Sequence, residues 1–277
     1  MRGLLTILFA CSAFTSSACF AEKVVNIVLP FQYAGASGQT ALFLKAKLLA
    51  RGYDASITQK LGAGGDVGHR FLASAPADGA TIGIVTSAAM DGLGMSFDGG
   101  KLTPLAVVGD QSFMLAAHAY SYATLQDFLY SRRDGLFGYV NVAHEKGFEM
   151  LTQNKAFLRV PYRSSSQLFL DLASGRIDVT FGATAGVLPF VGPGGVRLLA
   201  VSTSERLRRF PSVPTVQEEV KGFKFDSRMF IAMPSGASAA TIQRYRSLLR
   251  SIISDSAAQD FFSDVLFISP VKSARKK

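Results

Sequence analysis

Short β-branched runs alternate with longer helical stretches along most of this chain, and that alternation confines it to an α/β fold made of repeated βα units around a parallel sheet. Five runs carry the strand signal: Val24 to Pro30, Thr81 to Val85, Leu136 to Val140, Ile177 to Phe181 and Val196 to Val201. Helical patterns lie between and after them at Thr40 to Ala50, Leu125 to Ser131, Ser166 to Ala173 and Thr241 to Ser254. Ser164 with Gln167, and Thr215 with Glu218, have the spacing of capping boxes, which satisfy orphan amides at a helix start. A chain of 277 residues that is 48% hydrophobic can bury one large core or two lobes of roughly 120 residues each, and two lobes fit the pattern better.

The turns that follow the strands are built from small residues. They read Phe31-Gln32-Tyr33-Ala34-Gly35-Ala36-Ser37-Gly38, Thr86-Ser87-Ala88-Ala89, Tyr139-Val140-Asn141 and Gly182-Ala183-Thr184-Ala185. In an open parallel sheet such turns sit at the carboxyl ends of the strands, where ligands bind. Small side chains leave amides and hydroxyls free to reach a ligand, and the helix starts that follow favour an anion. The candidate ligand-binding residues are therefore Phe31, Ala34, Gly35, Ser37, Thr86, Ser87, Tyr139, Asn141, Ala183 and Thr184. Gly35 is the expected point of closest backbone approach, and Arg163, at a turn on the same edge, is not required.

Catalytic signatures are thin. The stretch Gly62-Ala63-Gly64-Gly65-Asp66-Val67-Gly68 lacks the Lys-Ser/Thr ending of a phosphate loop and the third glycine of a dinucleotide fingerprint, so it reads as a turn with Asp66 capping the next helix. His69, His118 and His144 have no paired ligand spacing and read as surface or turn histidines, so neither a metal nor another cofactor is expected. There is no Gly-x-Ser-x-Gly elbow, and Glu218-Glu219 sits at a helix start, where it compensates the dipole. The net charge of +9 suits either an anionic partner or simple solubility. Because the basic residues are dispersed, nucleic acid is not an expected partner, and the chain is expected to be a monomer that catalyses nothing.

At the N-terminus Arg2, the apolar run Leu4 to Phe14 and the junction of Ala21 with Glu22 and Lys23 have the form of a secretory signal peptide. Cleavage after Ala21 would remove both cysteines, Cys11 and Cys19, and leave a periplasmic chain without thiols. A lipoprotein beginning at Cys19 is the alternative, but Ser16 stands where a lipobox carries an aliphatic residue.

An ordered set of motifs resembles the Bug family, the periplasmic receptors of tripartite tricarboxylate transporters. The set comprises Leu29-Pro30-Phe31 with the Gly35 turn, the Gly62 to Gly68 stretch, Pro76-Ala77-Asp78-Gly79-Ala80-Thr81, Val160-Pro161-Tyr162-Arg163, Leu172-Ala173-Ser174-Gly175-Arg176-Ile177-Asp178 and Arg208-Arg209-Phe210-Pro211-Ser212-Val213-Pro214-Thr215. The resemblance implies a type II periplasmic-binding-protein fold, two Rossmann-like lobes with the ligand cleft between them. It places lobe one at residues 22–109 and 229–277, lobe two at 110–228, and the crossings near Val107 to Gly109 and Met229 to Met233. It also implies a small carboxylate ligand held by amides, hydroxyls and water, with the membrane subunits of such a transporter as partners. The same architecture would serve a protein that presents its ligand to a sensor kinase, and an exported hydrolase is a more distant alternative. Departures fall at the turns: Ala34 replaces a glycine, Gly38 an aspartate, Gly182 a polar residue, and Tyr139 to Glu149 lacks the family's Gly- and Ser-rich run.

Overall fold

The computed structural model describes residues 23–92, 96, 98–131, 134–152, 157–225 and 227–269. The expected signal peptide, residues 1–21 with both cysteines, lies outside the described residues. In chain order the first part comprises β1 (Val24–Leu29), α1 (Ala36–Leu49), β2 (Asp54–Gln59), α2 (Asp66–Ala73), β3 (Thr81–Thr86), α3 (Ser87–Met90) and β4 (Leu102–Gln111). The middle adds β5 (Phe113–His118), α4 (Leu125–Tyr130), β6 (Gly135–Tyr139), α5 (Val142–Thr152), β7 (Phe157–Pro161), α6 (Ser165–Ala173), β8 (Val179–Ala183), α7 (Thr184–Val187), β9 (Val196–Val201) and α8 (Val216–Glu219). The last part is β10 (Arg228–Pro234), α9 (Ala239–Ile253), α10 (Ser256–Asp260) and β11 (Ile268–Ser269).

These strands form two sheets, ordered β11-β4-β10-β3-β1-β2 and β7-β6-β8-β5-β9. The first sheet thus takes strands from both ends of the chain and the second from its middle. Neither is purely parallel, which corrects the sequence expectation. β1 runs parallel to β2 and β3, and β6 to β7 and β8, but β10 is antiparallel to β3 and β4, and β5 is antiparallel to β8 and β9. The reversed strands are β5 and β10, which lie next to the passages between sheets, and the short β11, which is antiparallel to β4. Such strands are not closed by a βαβ crossover and so escape its directional rule.

Each sheet is covered on both faces. In the first lobe Ile27, Leu29, Ile82 and Ile84 pack with Leu44 and Leu48 of α1 and Tyr245, Leu249 and Ile252 of α9, while Val28 and Val85 meet Leu72 of α2. The Tyr245 hydroxyl, buried in this layer, donates to the Gly79 carbonyl at 2.6 Å. In the second lobe the Phe137 and Phe148 rings stack 3.7 Å apart beside Phe128 and Phe181, and Leu168, Phe169 and Leu172 of α6 cover the opposite face. The Thr215 capping box forms in full, and the Glu218 carboxylate also accepts from Arg206, which holds its pKa down at about 2. At Ser164 only the half that caps the Gln167 amide is formed. Asp66 does not cap α2. Its carboxylate accepts instead from the Ser96 amide and hydroxyl, at 2.7 and 2.6 Å, and ties the helix to the loop that follows β3 and α3.

The chain passes between the sheets at Ser112, the one residue separating β4 from β5, and again just before β10. Here the Gln111 amide donates to the Ser227 carbonyl, and the Ser112 and Thr184 hydroxyls share a buried hydrogen bond of 2.8 Å. Among the described residues no helix is long and apolar enough to cross a membrane.

Candidate functional site: a cleft between the lobes

A cleft of about 320 Å³ lies between the two sheets, at the carboxyl ends of β1, β3, β6 and β8. That volume is at the lower end of small-molecule pockets, which run from about 300 Å³ upward. One wall is the turn from Pro30 to Ser37 with the ends of the Gly62 loop and Thr86 to Ala88, and the other is Val140 to His144, Arg163 to Ser166 and the α7 region. Gln111, Phe113 and Ser227 close the back.

The first turn is held in place by side chains from behind. The Gln39 amide donates to the Tyr33 carbonyl at 2.8 Å and the Gln59 amide to the Phe31 carbonyl at 3.1 Å. The residue that permits this tight turn is Gly38 and not Gly35. A Cβ on Gly38 would stand 2.4 Å from the Gln32 oxygen and the Tyr33 Cα, whereas one on Gly35 would meet only the Gln32 oxygen, at 3.9 Å. An aspartate at position 38 therefore cannot coexist with the turn as it is folded here.

Three helices of two turns or more, α1, α5 and α6, place their first residues in the cleft wall. The start of α1 has neither a side-chain cap nor an acidic residue in its first turn, so its amides face the cleft uncompensated. At α5 the Asn141 side-chain oxygen Oδ1 accepts from the His144 backbone amide, and the Asn141 NH2 group has no partner among the described residues. No acidic side chain lines the cleft among the described residues. Arg163 is its one permanent cation there, and it makes no ion pair or side-chain hydrogen bond with any described residue.

Eight of the ten candidates line this cleft: Phe31, Ala34, Gly35, Ser37, Thr86, Ser87, Asn141 and Ala183. Tyr139 and Thr184 do not. Tyr139 ends β6 on the same face as Phe137 and its ring stacks on that residue in the core of the lobe, while the Thr184 hydroxyl is consumed by Ser112. Sequence reasoning put Arg163 on this edge but left it out of the site, and it did not single out Ser164 to Ser166, Gln32 or the glycines Gly62, Gly64 and Gly65 as parts of the wall. It also misplaced two histidines. His69 and His144 are buried, at 0% and 5% exposure, and burial pushes both pKa values down to about 4.

The lobes touch across the cleft. Ser166 of α6 donates to the Gln32 side chain at 3.1 Å, and a Cβ on Gly64 of the first lobe would lie 2.8 Å from the Asn141 Cβ of the second. These two contacts tie the walls of the cleft to each other.

Solved structures place the fold. An R. palustris protein with adipate superimposes with a TM-score of 0.80 at 22% identity, over 91% of this chain and 89% of that one. MatC from Rhodopseudomonas palustris, with bound malate, gives 0.77 at 20% identity over 89% and 90%, and the periplasmic binding protein BugD gives 0.77 at 20% over 89% and 88%. The fold is thus that of the two-lobed periplasmic binding proteins. Among curated proteins, BugT of Bordetella pertussis is 26% identical over 73% of this chain and 68% of its own length. A protein encoded in the tcbD-tcbE intergenic region of Pseudomonas sp. strain P51 is 23% identical over 84% and 75%. Residues 45–274 match the tripartite tricarboxylate transporter family receptor, and the chain belongs to that family of periplasmic solute-binding proteins, which are receptors and not enzymes.

Proposed function

We propose that this protein captures a small carboxylate in the periplasm and delivers it to the membrane subunits of a tripartite tricarboxylate-type transporter. The observation that carries the reading is the electrostatic character of the cleft: three helix N-termini and Arg163 converge on it, and no described lining residue is acidic. That two structural neighbours hold adipate and malate supports the same ligand class. The lobe division read from the sequence, 22–109 with 229–277 against 110–228, is part of this proposal; the strand content of the two sheets supports it except at Asp110, Gln111 and Arg228, which lie in strands of the first sheet, and Ser112 and Ser227 would be the hinge points. Export with processing after Ala21 completes the reading. N-terminal sequencing of the protein recovered from cells should begin at Glu22, and a lipid-modified start at Cys19 would overturn that part.

Calorimetric titration with linear carboxylates of four to six carbons tests the binding. At least one is expected to bind, and Arg163→Ala is expected to weaken it by about tenfold to a hundredfold, the worth of one charge-assisted hydrogen bond. This differs from the arginine-independent recognition implied by resemblance. An unchanged affinity in Arg163→Ala would restore that view and leave the helix N-termini as the whole anion site.

A further inference from the structure

A second and larger groove, of about 870 Å³, also takes residues from both lobes. The sheet order sets it apart from the cleft. The cleft lies at the ends of β1, β3, β6 and β8, whereas the groove lies by β4, β11 and the segment that leaves β9, toward the opposite edge of each sheet. Residues 202–209 form its second-lobe side, and Asp264, Phe267 and Ser269 belong to its first-lobe side.

The groove is basic. Among the described residues Arg206, Arg208, Arg209, Lys224 and Arg228 line it. Two of these are committed within the protein, Arg228 to Asp110 at 3.0 Å and Arg206 to Glu218. The other three are available to a partner. Arg209 and Lys224 make no ion pair with any described residue, and Arg208 meets only Asp264, at 3.9 Å between side chains 92% and 61% exposed, where a pair contributes little. Of the three carboxylates among the described lining residues, Asp110 and Asp264 are the partners just named and Glu205 is the third. Leu207, Phe225 and Phe267 add apolar surface, and the Arg209 guanidinium lies 5.9 Å from the Phe267 ring centre.

The groove also shares a wall with the cleft. Gln111 lines both, and Arg228 of the groove donates its backbone amide to the hydroxyl of Ser87, which lines the cleft. An occupant of the groove thus touches the strand ends that close the back of the cleft.

We propose that this groove is the docking site of a partner protein, which lays an extended acidic segment along it. Charge complementarity sets the sign of the partner. Shape sets its class: a flat anionic membrane cannot follow a recess between two lobes, and a small carboxylate would leave most of the volume unfilled, whereas an extended chain suits both the length and the mixed basic and apolar lining. The inference does not depend on which molecule fills the cleft.

The probe is a fluorescein-labelled oligoglutamate of about ten residues, followed by anisotropy at low ionic strength, where surface charge is least screened. It is expected to bind the wild-type protein, while an oligolysine of the same length does not. Arg209→Glu with Lys224→Glu is expected to weaken binding by about tenfold or more. Because Arg209 packs on Phe267, Arg208→Glu with Lys224→Glu serves as a second pair that leaves that contact alone, and thermal melts establish that both are folded. Arg51→Glu with Lys101→Glu makes the same change in net charge at exposed positions that do not line the groove, and is expected to change the affinity by no more than about twofold. An equal loss in the control pair, or no binding of the oligoglutamate by the wild type, would overturn the proposal. So would vesicles containing phosphatidylglycerol that bind through these cations while the peptide does not, since the surface would then be a membrane contact.

Discussion

Acidification from about pH 7 to about pH 4.5 is expected to remove about 5 kcal/mol of folding stability from this receptor, before its carboxylates contribute. The cause is the pair of buried histidines. In His69 the desolvation that lowers the pKa is opposed only in part by the Asp66 charge and by backbone hydrogen bonds with Ile84 and Gly65, and in His144 desolvation acts alone. Both arrive at about 4 from an ordinary value of 6.5. The unfolded chain takes up protons below 6.5 and the folded chain does not until about 4, so the histidine contribution is complete above 6.5 and is lost as the pH falls between those values. Each histidine is worth about 1.4 kcal/mol per pH unit across that window, hence about 2 to 3 kcal/mol down to about pH 4.5. The carboxylates work in a lower range. Glu218, held down by Arg206 to about 2, loses its contribution only as the pH falls below its ordinary 4.5, and the depressed Asp171, beside Arg176, starts from 3.8. Urea denaturation between about pH 7.5 and 4.5 measures the effect. His144→Phe should remove about half of the slope, and a wild-type protein equally stable at both ends would show that neither ring is as buried as described.

Why those histidines were misplaced from sequence is itself physical. His144, Phe148 and Leu151 fall at helical spacing on the buried stripe of α5, and His69 and Leu72 share a face of α2, so the period placed them inwards although the residue type did not. The strands were legible where both faces are buried by β-branched residues, as in β1 and β3. They were not where packing overrides propensity. β5 is buried along nearly its whole length yet reads Phe-Met-Leu-Ala-Ala-His, a composition that suits a helix equally well, while β2 and β7 are edge strands with half-exposed, polar or proline-containing sequences. Since β5 is one of the antiparallel strands, missing it left a purely parallel sheet. The small-residue turns located the cleft because position at the strand ends follows from topology. Which glycine makes a close approach does not, since that depends on what the chain meets from elsewhere in space, as Gly38 and Gly64 show.

Gly64→Asn is expected to weaken carboxylate binding by about tenfold to a hundredfold while leaving the fold in place, because the new side chain acts as a wedge between the lobes. Gly64 has φ of 63°, in the left-handed region that asparagine tolerates better than other side chains, so the backbone accepts the substitution at modest cost. The added Cβ, however, would sit 2.8 Å from the Asn141 Cβ and 3.3 Å from its Cα. These atoms belong to the capped start of α5 and cannot swing aside as a side-chain tip would, so the lobes must separate. Only the closed state pays that cost, and a ligand whose competent state is depopulated binds more weakly by the same fraction. Backbone strain and wedge are separated by Gly52→Asn. Gly52 also has a left-handed φ, 76°, but a Cβ there has nothing within 4 Å, so this variant carries comparable strain with no effect on closure. Titration with the tightest carboxylate of the panel, together with small-angle scattering at saturation, decides between outcomes. The wedge is supported if Gly64→Asn alone loses affinity and stays extended with ligand present. If both asparagine variants bind like the wild type, the contact between Gly64 and Asn141 has no part in closure.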